Sequence, residues 1–171
     1  MKRIALIGSG GSGKSTLAQR LGEKLNIEVY HLDALFWKPN WTPKPKEEQR
    51  KMQNELVKKE EWIIDGNYNG TMDIRLNAVD TVIFVDISRV ICIYRVFKRM
   101  IQYRGKSRPD MAEGVNERLD FNFLKWVWDY PKTMKPAVLL KLEQLPNDKE
   151  VIILKTRREV QLFLDTVKAD L

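Results

Sequence analysis

Short continuous apolar runs alternate along the chain with longer stretches in which apolar positions recur every three or four residues. Residues 2–8, KRIALIG, form an apolar run ending in glycine, the pattern of a strand buried on both faces of a parallel sheet. Residues 14–25 follow with Leu17, Leu21 and Leu25 at helical spacing and Ala18 beside them. Residues 27–33 predict a second strand, and 43–60 a loop followed by a helix whose alternating lysines and glutamates suit a solvated face. WIIDG at 62–66 and TVIFVD at 81–86 predict a third and a fourth strand, each ending on an acid. Residues 88–103 predict a strongly amphipathic helix broken by Gly105 and Pro109, and helical pattern resumes over 113–130 and 132–145. EVIIL at 150–154 predicts the fifth strand, and 157–169 a closing helix. This alternation, without repeat, low-complexity tract or linker, implies an α/β fold: one parallel sheet wrapped by helices in a single domain over residues 1–171.

Composition narrows the class. A chain of 171 residues with 43% hydrophobic and 31% charged residues is that of a globular domain and excludes a disordered one. Cys92 is the single cysteine, so there is no internal disulfide and no cysteine-rich zinc site. The opening Met-Lys-Arg and apolar run imitate a signal peptide, but glycines follow at once and Lys14 interrupts. The run is too short for export or a membrane span, which predicts a cytoplasmic protein without a membrane partner. The net charge of +7 favours an anionic partner. That charge is local: Arg89, Arg95, Lys98, Arg99, Arg104, Lys106 and Arg108 occur with no acid between Asp86 and Asp110.

The strongest chemical signal is Gly8-Ser9-Gly10-Gly11-Ser12-Gly13-Lys14-Ser15, a complete G-x-x-x-x-G-K-[ST] pattern between an apolar strand and an amphipathic helix, with Thr16 following. Its glycines let the backbone curl so that successive N–H groups point at phosphate oxygens, and the helix start adds partial positive charge. Lys14 can reach the β- and γ-phosphates of a nucleotide, and the Ser15 hydroxyl can ligate Mg²⁺. This predicts Gly8, Gly10, Gly11, Ser12, Gly13, Lys14, Ser15 and Thr16 as the nucleotide-binding residues. No Asn-Lys-x-Asp guanine reader occurs, and the strands end on the single acids Asp33, Asp65 and Asp86 where motor ATPases have paired ones. A short chain with a basic, glycine-interrupted segment suits a small kinase with a mobile lid, which supplies positive charge and excludes water from the migrating phosphoryl group.

Four segments carry a resemblance: the glycine-rich loop, Leu32-Asp33-Ala34-Leu35-Phe36-Trp37, Trp62-Ile63-Ile64-Asp65-Gly66-Asn67-Tyr68, and residues 95–108. Together they resemble the adenylate-kinase-like P-loop kinases, and most closely the bacterial topology modulation (FlaR-type) proteins. The resemblance implies a five-stranded parallel sheet in order 2-3-1-4-5, ATP with Mg²⁺, and a short helical lid over about residues 95–118. It further implies that Arg95 stacks on adenine, that Arg99 faces phosphate, and that Arg108, Asp110 and Arg118 continue the lid pattern. The family's Asp-Gly-Phe-Pro-Arg strand end is matched only through Asp65-Gly66, and the nearest arginine is Arg75, the candidate contact to the acceptor.

Monophosphate kinases hold the acceptor phosphate with an arginine after the second strand. Here that position reads Asp33-Ala34-Leu35-Phe36-Trp37. An aspartate suits a hydroxyl acceptor, whose proton a carboxylate can take. The expectation is therefore an ATP- and Mg²⁺-dependent phosphotransferase in which Lys14, Arg99, Arg104 and Arg108 stabilise the migrating group. Asp33 would be the base or acceptor contact, Ser15 and Asp65 would hold the metal, and Trp37, Asp65 and Arg75 would line the acceptor side. Other roles stay open at several positions: a helix cap for Asp33 or Asp86, a structural turn for Asp65, a packing role for His31, Trp37 and Trp41, and a solvated face for Arg95 and Arg99. Two alternatives stand beside it, a nucleoside monophosphate kinase and a non-catalytic ATP-binding protein associated with DNA; no helix-turn-helix, zinc finger or aromatic-basic interleaving supports the second.

Overall fold

In the computed structural model, which describes residues 1–167, the apolar runs become β1 (Arg3–Gly8), β2 (Val29–His31), β3 (Trp62–Asp65), β4 (Thr81–Val85) and β5 (Glu150–Leu154). They pair in the order β2-β3-β1-β4-β5, every neighbour parallel, with Leu6 opposite Asp65 on one side of β1 and opposite Ile83 on the other. Counted along the chain this is 2-3-1-4-5. Both faces of the sheet are covered, which is why these runs lack polar alternation. Ile4, Leu6, Ile63, Ile83 and Val85 enter one core with Leu17, Leu21, Cys92 and Val96. Ala5, Ile7, Ile64, Val82 and Phe84 enter the other with Leu32, Phe36, Met72 and Val138.

The helices follow the alternation: α1 (Lys14–Leu25), α2 (Leu32–Phe36), α3 (Lys46–Leu56), α4 (Met72–Ala78), α5 (Arg89–Gln102), α6 (Phe121–Thr133), α7 (Lys135–Glu143) and α8 (Arg157–Thr166). Local chemistry sets several boundaries. The Asp120 carboxylate accepts the Phe123 N–H at 3.1 Å at the start of α6, and the Thr156 hydroxyl accepts the Glu159 N–H at 3.1 Å at the start of α8. Asn26, left-handed at φ 56°, ends α1 with its N–H on the Gly22 carbonyl.

Four expectations are corrected. The second strand stops at His31, because Leu32 and Phe36, four residues apart and both buried, wind into α2; Asp33 therefore sits in the first turn of a helix and not on a strand. Residues 113–120 are not helical: Gly114 is left-handed at φ 78°, and Glu117 makes ladder bonds to Gly105 and Lys106. The lid is accordingly helical only as far as Gln102. The predicted break at Pro131 falls later, at Met134, between α6 and α7. Residues 168–169 of the predicted closing helix lie outside the described residues. Among the described residues, no helix is long and apolar enough to cross a membrane.

The carboxyl ends of β1, β2 and β3 lie side by side, the edge where ligands of open α/β sheets bind. At the opposite edge, one close contact holds the end of α1 against the start of β2. A Cβ on Gly22 would stand 2.4 Å from the Val29 side chain and 2.9 Å from the Ile27 carbonyl oxygen. Glycine to alanine within a helix ordinarily gains up to about 1 kcal/mol. Gly22→Ala is predicted to lose about 1–3 kcal/mol instead, as overpacking does, with urea denaturation as the measurement; a stabilised variant would contradict the contact.

Candidate active site

β1 ends at Gly8 and the chain turns through the glycine-rich loop into α1. Gly11, at φ 76°, passes so close to α5 that a Cβ would stand 2.4 Å from the Cys92 carbonyl oxygen. The loop opens onto a cavity of about 700 Å³. Of the predicted nucleotide-binding residues, Gly10, Gly11, Gly13, Lys14, Ser15 and Thr16 line it. Gly8 and Ser12 do not. The Gly8 N–H donates to Asn67 Oδ1 at 3.0 Å, and its carbonyl accepts from Asn67 Nδ2 at 2.6 Å. Ser12 is turned inward, 2% exposed.

Asp65, the last residue of β3, and Asn67 and Tyr68 just after it organise the neighbouring part of the site. Asp65 is buried, with Oδ2 2.8 Å from His31 Nδ1 and Oδ1 without a hydrogen-bond partner. Burial alone would raise this carboxyl, but the His31 hydrogen bond, the Lys14 charge and the Ser15 hydroxyl hold it below the usual range. Burial also works against a charged His31, yet its bond to Asp65 and the carboxylates of Asp65, Asp110 and Asp33 raise it above its ordinary value. Asn67 clamps Gly8 as described. Tyr68, forced to φ 34°, donates its hydroxyl to Asp33 Oδ1 at 2.6 Å and accepts the Trp37 indole N–H at 2.9 Å. Burial, followed by the Asp33 charge, pushes the Tyr68 phenol far up, so it acts here as a donor.

Asp33, Trp37 and Tyr68 all face the cavity, as do Arg95, Arg99, Arg108 and Arg118. Arg95 donates to the Ser12 carbonyl at 3.1 Å and the Gly11 carbonyl at 3.4 Å. Glu117, 5% exposed, stands 2.7 Å from Arg108 Nε and 3.5 Å from Arg99 Nε; both are ion pairs rather than aligned hydrogen bonds. Arg108 also reaches Asp110 at 3.1 Å. Burial, then the nearby Arg108 charge, lowers the Arg99 guanidinium from its usual value.

Outside the glycine-rich loop, three predicted residues do not line the cavity: Arg104, Arg75 and Asp65, the last of which is bonded to His31. Arg104 is exposed, its backbone bridged to Glu117, and does not line the cavity. Arg75 is fully buried beneath the strand end: it donates to the carbonyls of Gly66 at 3.0 Å and Asn67 at 2.6 Å, and to Gln53 Oε1 at 2.7 Å. Burial pushes it down to about 10, still charged at neutral pH. It is a strut under the loop. Sequence reasoning missed Asn67 and Tyr68 as site residues; the signal was their place directly after Asp65-Gly66, where the resemblance called for other residues.

A 2-3-1-4-5 parallel sheet flanked by helices, with a glycine-rich loop after its first strand, is the fold of P-loop kinases, and solved structures similar to this chain share that fold. Shikimate kinase from Acinetobacter baumannii, in complex with shikimate, superposes with a TM-score of 0.60 at 15% identity, over 96% of this chain and 89% of that one. Shikimate kinase from Bacteroides thetaiotaomicron gives 0.57 at 16%, over 96% and 94%. A sugar kinase from Janibacter sp. HTCC2649 gives 0.52 at 17%, over 96% and 91%. In sequence, the uncharacterised protein YqaC of Bacillus subtilis (strain 168) is 28% identical over 127 residues, 73% of this chain and 70% of that protein. No family model matches.

Two predictions test this geometry. Arg75→Met leaves buried carbonyls unpaired and is expected to cost about 3 kcal/mol of stability, read by urea denaturation; a loss confined to acceptor affinity would restore the sequence expectation. The raised His31 value means that its charged form adds stability fully present below the ordinary value of 6.5 and lost as pH rises through the folded value. The melting difference between the parent protein and His31→Gln, in metal-free buffer, should therefore be larger at acid pH than at alkaline pH.

Proposed function

We propose that the protein is an ATP-dependent phosphotransferase whose acceptor is a hydroxyl group of a small molecule. The observation that carries this reading is the placement of Asp33. Its carboxylate faces the same cavity as Lys14 and Ser15, and Tyr68 holds one of its two oxygens. The acceptor hydroxyl would donate to the other oxygen, Oδ2, and give up its proton there as its oxygen bonds to the γ-phosphorus and ADP departs. The Trp37 N–H fixes the Tyr68 hydroxyl, so Asp33 is aimed before the acceptor arrives.

The rest of the cavity suits the transfer. Lys14 and the loop amides would stabilise the migrating group, and Arg95 would lie against the adenine. Arg99 and Arg108, held on Glu117, would turn to phosphate oxygens. The residues fit a magnesium ion: Asp65 Oδ1 is buried and unpartnered near Ser15 and Lys14. Magnesium is normally held by one or two protein oxygens together with substrate phosphates, and Ser15 and Asp65 would supply them. When bound, it neutralises charge on the β- and γ-phosphates. A monophosphate acceptor finds less support, because Arg75 is engaged beneath the loop. A DNA-associated role is disfavoured too, because Arg95 and Arg99 turn toward the cavity. The narrower kinship with topology modulation proteins is part of the same proposal and rests on the LDALFW and DGNY segments.

Lys14→Ala should lower ATP turnover at least about a hundredfold, measured by ADP release across panels of alcohols, nucleosides and monophosphates; unchanged turnover in the folded variant would sink the kinase reading. Asp33→Asn should lower kcat by roughly 10²–10⁴, with a smaller loss for Tyr68→Phe. If Asp33→Asn is harmless and monophosphates alone respond, the acceptor assignment is wrong while the kinase assignment stands.

A further inference from the structure

The outward side of α5 is apolar. Val90 is 61% exposed, Tyr94 65%, Phe97 49% and Ile101 65%, with Ile91 at 45% beside them. Their four-three-four spacing is that of a coiled-coil seam, whereas Cys92, Val96 and Met100 on the opposite side fill the core. The basic character of this segment does not extend to that seam. Arg89 lies 4.1 Å over the Trp128 ring, Arg95 binds the carbonyls of the phosphate loop and Arg99 pairs with Glu117. Of the four cations of α5, only Lys98 is directed outward. Nucleic acid or an anionic membrane would require presented cations; this face offers side chains suited to another helix.

We propose that the face joins two copies of the chain, α5 against α5, antiparallel about a two-fold axis passing between residues 95 and 96. The pattern is self-complementary in that register, as an isologous interface requires. Tyr94 opposes Phe97 of the second copy and Val90 opposes Ile101, each pair occurring twice. Two aromatic pairs then sit at the centre with aliphatic pairs at the ends, the helix dipoles run opposite, and the two Lys98 ammonium groups fall on opposite flanks. At about 200 Å² for a fully exposed large side chain, the five residues present roughly 500 Å² per copy, below the about 800 Å² per partner of a standard interface. An interface of that size belongs to the weak, reversible class.

Sedimentation velocity across a dilution series should show the mass rising from 20.1 kDa toward twice that value as concentration increases. Tyr94→Glu and Phe97→Glu should each hold the chain monomeric throughout, with unchanged circular dichroism and melting, because both side chains are exposed. Register is tested by mixing chains carrying Tyr94→Cys with chains carrying Phe97→Cys and adding a short bis-maleimide. Cys92 is buried, so the introduced thiols react, and the 94–97 product should exceed 94–94. A parent chain monomeric at every concentration, or a dimer that survives both glutamate variants, overturns the proposal. So does binding to duplex DNA or phosphatidylglycerol vesicles that the same variants abolish.

Discussion

Two hydrogen bonds between the Asn67 side chain and the Gly8 backbone join the chain after β3 to the glycine-rich loop. The β1–β3 ladder ends where the Gly66 N–H reaches the Leu6 carbonyl. Beyond that point β1 must curl into the loop while the chain after β3 turns toward Asp33, so the Gly8 donor and acceptor lose their strand neighbour on that side. The Asn67 amide supplies both partners at 3.0 and 2.6 Å, acting as one more residue of β3 while its own backbone leaves the sheet. Arg75 holds the Asn67 carbonyl from below, and Tyr68 leaves the turn already bonded to Asp33. The glycine-rich loop, the Arg75 strut and the Asp33 carboxylate are thus joined at one corner through Asn67 and Tyr68.

Charge within the site is balanced before any ligand arrives. Arg99, Arg108, Glu117 and Asp110 contribute two positive and two negative groups in close contact, with Glu117 almost fully buried. A buried carboxylate with a single aligned partner would be costly, and two guanidiniums offset that cost. The same pairing keeps two arginines near the phosphate loop, where otherwise their burial beside one another would oppose charge.

The five strands, the glycine-rich loop and the shared cavity of Lys14, Asp33 and Trp37 were legible in the sequence, because each rests on a local pattern: apolar runs, a fixed motif, a residue next to a strand end; the order of the strands came only from the resemblance. What could not be read was the direction of long side chains. Arg75 and Arg104 are both basic residues near expected binding segments, yet one props the strand end and the other faces solvent. Their fates are set by α4 and by the ladder bonds of Glu117, which no spacing announces. The non-helical stretch 113–120 escaped for a related reason. Its geometry follows from pairing with residues 105–107, a contact between segments and not a property of either.

The aromatic loop at residues 37–43 shows the same dependence on distant partners. Trp37–Lys38 pairs with Thr42–Pro43 as a short antiparallel ribbon whose turn places Asn40 at φ 62° and Trp41 at φ 56°. Left-handed backbone at a bulky residue costs on the order of 1–3 kcal/mol and persists only where the surroundings impose it. The lid imposes it here. Trp41 Nε1 donates to the Asn116 carbonyl at 2.8 Å, the Asn40 N–H reaches the Gly114 carbonyl at 3.3 Å, and the Arg118 guanidinium lies 5.4 Å from the Trp41 ring. The loop that carries Trp37 toward Asp33 is therefore fastened to the segment that carries Arg108 toward the phosphate loop. Separating the two segments would break these contacts while leaving the backbone strain at Asn40 and Trp41 in place.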